Sequence, residues 1–168
     1  MQVFITGATG FLGTHVTEKL LNAEHSLTLL VRPQSTDTLD QAHTDRCNII
    51  KGDILSPGTI RKGCHDADVI IHLVGIIREF PPEITFERLH EEATFNVVRA
   101  AQATDTDILY VSALGARDGT TDYYQSKRRA ETLVRESGQA YTILRPSVIL
   151  GPGDHITPMI QNQARLGF

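Results

Sequence analysis

Three glycines at a fixed interval, Gly7, Gly10 and Gly13, stand in the run VFITGATGFLG. The chemistry this spacing allows is the cradling of a phosphate. Glycines there let the backbone turn tightly, approach a pyrophosphate closely and bring the next helix against a sheet. A helix opening near Gly10 points its free N–H groups and positive dipole end at that phosphate. The spacing is GxxGxxG, not GxGxxG, and it gains weight from context: 2–6 reads as a strand and 13–23 as a helix. A bare strand-to-helix turn is the plain alternative. No Lys-Ser/Thr pair stands where a P-loop needs one. A second pair, Tyr123 and Lys127, lies four apart on a predicted helix, which puts a phenol and an ammonium on one face. Tyr124 with Arg128 is a shifted version that lacks the lysine.

The elements that must position these groups alternate along the chain. Apolar, strand-like runs occupy 3–6, 26–31, 48–51, 69–73, 108–112 and 141–144, with helical stretches at 11–23, 57–64, 84–104 and 121–137. Nearly all-apolar strands joined by helices describe a parallel sheet covered on both faces. Right-handed crossovers then favour an α/β, Rossmann-type doubly wound sheet of order 3-2-1-4-5-6 in a three-layer α/β/α arrangement. Residues 33–46 are polar and read as a mobile surface connection. The loop 75–83 (GIIREFPPE) follows strand four, where such a sheet places its ligand crevice.

Bulk composition excludes several classes. The chain has 168 residues, 40% hydrophobic and 21% charged, a single globular domain's worth. A net charge of −4 leaves no basic footprint for nucleic acid or an anionic membrane surface. Cys47 and Cys64 form neither a metal-ligand spacing nor a disulfide framework and suit a reduced, cytoplasmic setting. No signal peptide opens the sequence, and no apolar run nears the ~20 residues of a membrane helix. The seven histidines (15, 25, 43, 65, 72, 90 and 155) never pair at metal-ligand spacing and read as scattered surface residues, so no metal is expected.

TGATGFLG, the Gly52–Asp53 pair, HLVG at 72–75, YYQSK at 123–127 and LRPSVILGPGD at 144–154 resemble the extended and atypical short-chain dehydrogenase/reductases, a superfamily that includes NAD(P)-dependent epimerases and dehydratases. HLVGIIRE, EATFNVVRAA and YVSALGA together are most similar to one atypical branch, which contains the NAD(P)-binding accessory subunit of respiratory complex I and its bacterial relatives. The resemblance spans essentially the whole chain. It implies that 1–151 is an NAD(P)-binding domain and that 152–168 begin an incomplete substrate-binding segment. By the same resemblance, Gly7, Gly10 and Gly13 form the pyrophosphate loop, with backbone N–H groups from Thr9, Phe11 and Leu12. Asp53 binds the adenine amino group and Ile54 walls that ring, although Asp53 also reads as a helix N-terminal residue. Leu73, Val74 and Gly75 run under the ribose, and the segment from Pro146 to Val148 packs near the nicotinamide. Tyr123 is the general acid/base. Lys127 favours its phenolate and holds the nicotinamide ribose.

Arg32 bears on the choice of cofactor. NAD-specific folds end strand two with an acid for the ribose 2′-OH, whereas here LTLLV is followed by Arg32, with no acid before Asp37. A guanidinium grips a 2′-phosphate, so NADP(H) is expected over NAD(H), against the alternative of a solvated strand-end arginine. The family's catalytic Ser/Thr position falls on Ala113 or Leu114, with Ser112 about a turn early yet a third catalytic candidate if its hydroxyl reaches inward. His90 stands where the family often has an Asn, and Asn96 matches its second Asn. The resemblance thus implies an oxidoreductase, epimerase or dehydratase acting on an unidentified small molecule. The alternatives are a non-catalytic NADPH-binding accessory module, associated with a membrane complex as in the resembling subunit, or a redox-sensing regulator. Arg78 in the loop 75–83 reads as solvated or as a partner for an anionic substrate.

Overall fold

The computed structural model describes residues 1–165 apart from Asp40 and His155. Six strands form its centre: β1 (Gln2–Thr6), β2 (Ser26–Val31), β3 (Asn48–Lys51), β4 (Val69–His72), β5 (Asp107–Val111) and β6 (Tyr141–Leu144). They pair in parallel in the order β3-β2-β1-β4-β5-β6, as expected. The helices are α1 (Phe11–Asn22), α2 (Gln41–Arg46), α3 (Pro57–Cys64), α4 (Ala93–Thr104), α5 (Asp122–Arg135) and α6 (Ile156–Arg165).

Side chains alternate across each strand, so β1 to β5 feed two cores, while the edge strand β6 adds only Ile143 to one of them. Phe4, Ile70, Ile108 and Tyr110 point to one face, against Ile60 and Cys64 of α3, Val97 and Ala101 of α4, and Ala130 and Val134 of α5. Val3, Ile5, Leu29 and Ile71 point to the other, against Leu21, Val16 and Leu20 of α1. The chain reversal at β1 puts strand four beside strand one, and the carboxyl ends of both open onto the crevice where such sheets hold ligands.

Two expectations need correction. The polar stretch 33–46 is not a plain connection: it folds as a 3₁₀ segment, Pro33–Thr38, followed by α2. Leu39, 9% exposed, anchors it in the α1-side core, and Arg46 Nη2 donates to Leu21 O at 3.0 Å, satisfying a carbonyl at the end of α1. The stretch expected as one helix over 84–104 starts instead with a π-helical turn, Glu87–Glu92, that runs into α4. Such wide turns occur often at functional sites, and this one carries His90.

Candidate functional site

The turn after β1 is built by its glycines in three different ways. Gly7 takes φ +81°, and a Cβ there would lie 3.0 Å from Leu73 C and Val74 N, so the turn packs directly on the backbone leaving β4. Gly13 brings α1 onto the turn: its Cβ would fall 2.1 Å from Gly7 O. Gly10 is exposed at φ −80° and ψ 168°, and its Cβ would meet only Gly7 O, at 3.3 Å. Gly10 N donates to Gly7 O (3.1 Å), and the first helical bond runs from Thr14 N to Gly10 O (3.0 Å). The N–H groups of Phe11, Leu12 and Gly13 therefore precede the helical ladder. No side chain caps this end and no acid stands in the first turn, so the dipole faces the crevice uncompensated. Thr9 is half-buried beside it.

The other expected nucleotide contacts lie on neighbouring strand ends. Arg32 is exposed at the end of β2. Asp53 is exposed and its Oδ1 accepts from Leu55 N at 2.8 Å, a local turn that leaves the second carboxylate oxygen outward. Ile54 is 5% exposed and belongs to the core, so its side chain offers little surface to a ring. Asn96 is committed to the same segment, with Nδ2 donating to Ile54 O at 3.2 Å. Leu73 and Val74 are half-buried, Leu73 N donates to Thr6 O at 3.0 Å, and Gly75 is exposed at the crevice. Pro146 is half-buried and accepts from Leu114 N at 2.9 Å, while Val148 is 61% exposed.

Helix α5 supplies the pair that could do acid–base work. Thr121 caps it, its hydroxyl accepting from Tyr124 N at 3.3 Å. Tyr123 is half-buried, with its ring edge-on to His90 (5.6 Å between centroids) and Phe86 (5.7 Å). Burial, then the neighbouring Tyr124, pushes the Tyr123 phenol above its ordinary range, so it keeps its proton at neutral pH. Lys127 is 4% exposed; its Nζ donates to Val111 O at 3.1 Å and lies 5.1 Å from the centroid of the Tyr110 ring. A Cβ on Gly75 would sit 3.0 Å from that Nζ, so only glycine leaves the ammonium a clear approach to the loop after β4. Burial lowers the Lys127 ammonium to about 8 against the opposing pull of Glu131. Tyr124 and Arg128, the shifted pair, serve the loop after β5 instead. Cβ atoms on Gly115 and Gly119 would run into the Tyr124 ring, and Arg128 Nη1 donates to Arg117 O at 3.0 Å.

The histidines depart from expectation. His65 is exposed beside Asp66, and His15, half-buried, reaches Pro152 O at 3.0 Å. His72 and His90, however, are 0% exposed. They belong to one buried chain of hydrogen bonds: Thr6 Oγ1 to His72 Nδ1 (2.7 Å), His72 Nε2 to Thr94 Oγ1 (3.1 Å), and His90 Nδ1 to Ser126 Oγ (2.8 Å). Proton positions follow from the fixed donors. Ile76 N donates to His90 Nε2 (3.0 Å), so the ring proton is on Nδ1 and goes to Ser126, whose hydroxyl donates to Tyr123 O (2.8 Å). Thr94 donates to His90 O, which leaves His72 Nε2–H as the donor to Thr94. Both rings are neutral. Desolvation, then the Lys127 charge, lowers each to about 3. His90 therefore ties the loop after β4 to α5 directly under Tyr123. The side chain of His43 and the whole of His155 lie outside the described residues.

Ser112 is 4% exposed; its Oγ has no hydrogen-bond partner and lies beside the Glu131 carboxylate. Ala113, 9% exposed, follows it, then Leu114, 64% exposed. Glu131, 1% exposed, is a site residue outside the sequence motifs. Arg145 grips it in a fork through Nε (2.7 Å) and Nη2 (2.6 Å), and Arg135 Nη2 adds a third contact. Burial alone would raise this carboxyl, yet the hydrogen bonds from Arg145 and Arg135 outweigh it and bring it to about 2. The signal was available: Tyr123, Lys127 and Glu131 recur every four residues on one face of α5. Among the described residues, no cluster of His, Cys, Asp and Glu could hold a metal ion, and no helix is long and apolar enough to cross a membrane.

A parallel sheet in this order, with a glycine turn feeding a helix N-terminus at its switch point, defines a Rossmann-type nucleotide-binding protein. The chain belongs to the NAD(P)H-binding family, whose model matches residues 7–163. It is 34% identical over 154 residues to the ceramide reductase of Caulobacter vibrioides, covering 90% of this chain and 47% of that one. It is 25% identical to the mitochondrial 40 kDa subunit of NADH-ubiquinone oxidoreductase from Neurospora crassa, over 90% of this chain and 41% of the subunit. The crystal structure of gox2253 is 29% identical with a TM-score of 0.77, over 96% of this chain and 56% of that one. The chain thus spans about half the length of these relatives, which fall with epimerases and reductases in the short-chain dehydrogenase/reductase superfamily.

Proposed function

We propose that this chain is an NADP(H)-dependent oxidoreductase of that superfamily, with 1–151 holding the nucleotide and 152–168 opening a substrate-binding segment. The residues fit the cofactor. The turn at Gly7–Gly13 offers uncapped N–H groups to the pyrophosphate, Arg32 reaches a 2′-phosphate, and the outward oxygen of Asp53 reaches the adenine. The backbone at 73–75 lies under the ribose, and Pro146 and Val148 border the nicotinamide. When bound, the dihydronicotinamide supplies the hydride and is itself oxidised. Tyr123, held as a phenol by burial, gives its proton to the substrate oxygen as the carbonyl carbon gains the hydride, and the product is the alcohol. Lys127 stabilises the phenolate left behind and hydrogen-bonds the ribose; a proton from solvent restores the tyrosine. The carrying observation is Lys127, a 4% exposed ammonium opposite Gly75 with the phenol one turn before it. Its two unpaired cysteines suit a reducing cytoplasm.

A second reading is a non-catalytic NADPH-binding module that supports an assembly. Ser112 favours it, because its hydroxyl lies beside Glu131 and leaves Ala113 and Leu114 where an orienting hydroxyl would stand. A lost orienting donor is typically worth a few kcal/mol of barrier. Similarity to the Neurospora subunit points the same way. Tyr123→Phe separates the two. For an enzyme, turnover falls about 10²- to 10⁴-fold while NADPH affinity stays within about twofold. NADPH binding without turnover on a broad carbonyl panel supports the module, and turnover that survives Tyr123→Phe refutes the catalytic assignment.

A further inference from the structure

We infer that the substrate of this site, on the oxidoreductase reading above, is a long-chain aliphatic carbonyl compound held by an apolar rim on the loops after β4, β5 and β6. Ten large apolar side chains are exposed among the described residues. Five of them stand on these three loops: Ile77 (79%), Phe80 (57%), Leu114 (64%), Val148 (61%) and Leu150 (58%). The loops leave neighbouring strands at the carboxyl edge of the sheet, and Leu114 N bonded to Pro146 O joins the last two. The first begins at Gly75, against Lys127 Nζ. The rim therefore borders the Tyr123–Lys127 pair. A concentration of exposed apolar surface beside convergent polar groups marks a ligand site.

The loop after β4 is built to present its apolar residues. Phe80 and Ile84 exchange backbone hydrogen bonds (2.7 and 3.2 Å), which closes a short hairpin. Two of its charged residues, Arg78 and Glu79, make contacts within it. Glu79 Oε1 accepts from Phe86 N at 2.6 Å, and the Arg78 guanidinium lies 5.3 Å from the centroid of the Phe80 ring. Arg88 Nη1 turns back to Pro82 O at 3.5 Å. Arg78 and Arg88 thus each make a contact with the loop itself, while Ile77 and Phe80 face outward. An alkyl tail suits that surface, with the carbonyl end reaching Tyr123.

The test titrates NADPH first, then titrates the NADP⁺-saturated protein with methyl ketones of increasing chain length, using a UDP-hexose as competitor. The expected dissociation constant falls about two- to fourfold per added methylene, the range for partial to full burial at ~0.8 kcal/mol each. Ile77→Ser/Phe80→Ser should weaken the longest ketone about tenfold and leave NADPH affinity and the melting temperature unchanged. A dissociation constant indifferent to chain length, or displacement by the UDP-hexose, overturns the substrate class while the nucleotide reading stands. So does a dimer in light scattering that the double variant dissociates, since the rim would then be a self-interface. Absence of NADPH binding overturns the oxidoreductase reading, and this substrate with it.

Discussion

Acidification to about pH 5 should cost this fold roughly 4 kcal/mol, and two buried histidines carry the loss. His72 and His90 are fully enclosed, and every ring nitrogen has a partner that fixes the neutral form. Lys127 faces both rings, and each also feels the exclusion of water. Their folded-state values, about 3, lie below the 6.5 of an unperturbed histidine. The unfolded chain therefore binds more protons between those limits, and stability rises with pH across that window. The contribution is fully present above about 6.5 and is lost as pH falls toward about 3. At pH 5 the unfolded histidine is about 1.5 units below its midpoint, and at ~1.36 kcal/mol per unit each ring costs about 2 kcal/mol. Against a domain stability of about 5–15 kcal/mol that is a large share. Urea unfolding followed by circular dichroism at a series of pH values reads it directly. With an m-value near ~2 kcal/mol/M the midpoint drops by about 2 M. His90→Phe removes one of the two titrating rings, so the loss between neutral pH and pH 5 should shrink to about half. That variant also leaves Ile76 N and Ser126 Oγ without their partner, which lowers stability at every pH. The pH slope rather than the level is the measure. A stability change below about 1 kcal/mol in the wild type, or an unaltered slope in His90→Phe, refutes the reasoning.

Gly13→Ala should destabilise by about 1–3 kcal/mol because its Cβ meets backbone at 2.1 Å, while Gly10→Ala keeps the wild-type melting temperature and loses nucleotide affinity. Thermal melts with and without NADPH check both. Arg32→Asp should weaken NADPH about 10- to 100-fold and leave NADH within a few-fold, as calorimetry would show; equal affinities in the wild type remove Arg32 from the 2′-phosphate. Glu131→Gln leaves two half-exposed arginines poorly paired and should cost about 2–3 kcal/mol at pH 7, measured by urea unfolding. In the wild type this stabilisation is present above about 4.5 and fades as pH falls toward about 2.

The sheet order was legible because six apolar runs separated by helices have few right-handed solutions, and the glycine turn fixed which strand came first. The interior of the site was less legible, for reasons that lie in its long-range pairing. His72 ends VIIH, a strand flanked on both sides by apolar strands, and a polar residue there must find a partner. Its partners, Thr6 and Thr94, lie 66 and 22 residues away. No local pattern announces them. His90 was placed by family resemblance at an Asn position, but its burial depends on the π-helical turn, which periodicity at 3.6 residues does not reveal. Helix segments 33–38 and 41–46 were hidden because they are polar and rest on Leu39 alone for their described core anchor.

The environment of Lys127 ties these observations to a function. A lysine at 4% exposure loses most of its hydration, and its hydrogen bond to Val111 O replaces only part of it. Glu131 opposes the loss, yet two arginines already hold that carboxylate, so it attracts the ammonium without bonding to it. Neutral His72 and His90 complete the wall. Each is fixed by hydrogen bonds in the form that adds no second positive charge beside Lys127. A packed apolar side chain at 127 would suit a purely structural core better. What the lysine provides instead is a positive charge directed past Gly75, where a side chain would block it, with a protonated tyrosine one turn away. Those features together favour a bound, charge-developing ligand over core packing, and they make Lys127→Met the substitution expected to raise stability while abolishing nucleotide affinity.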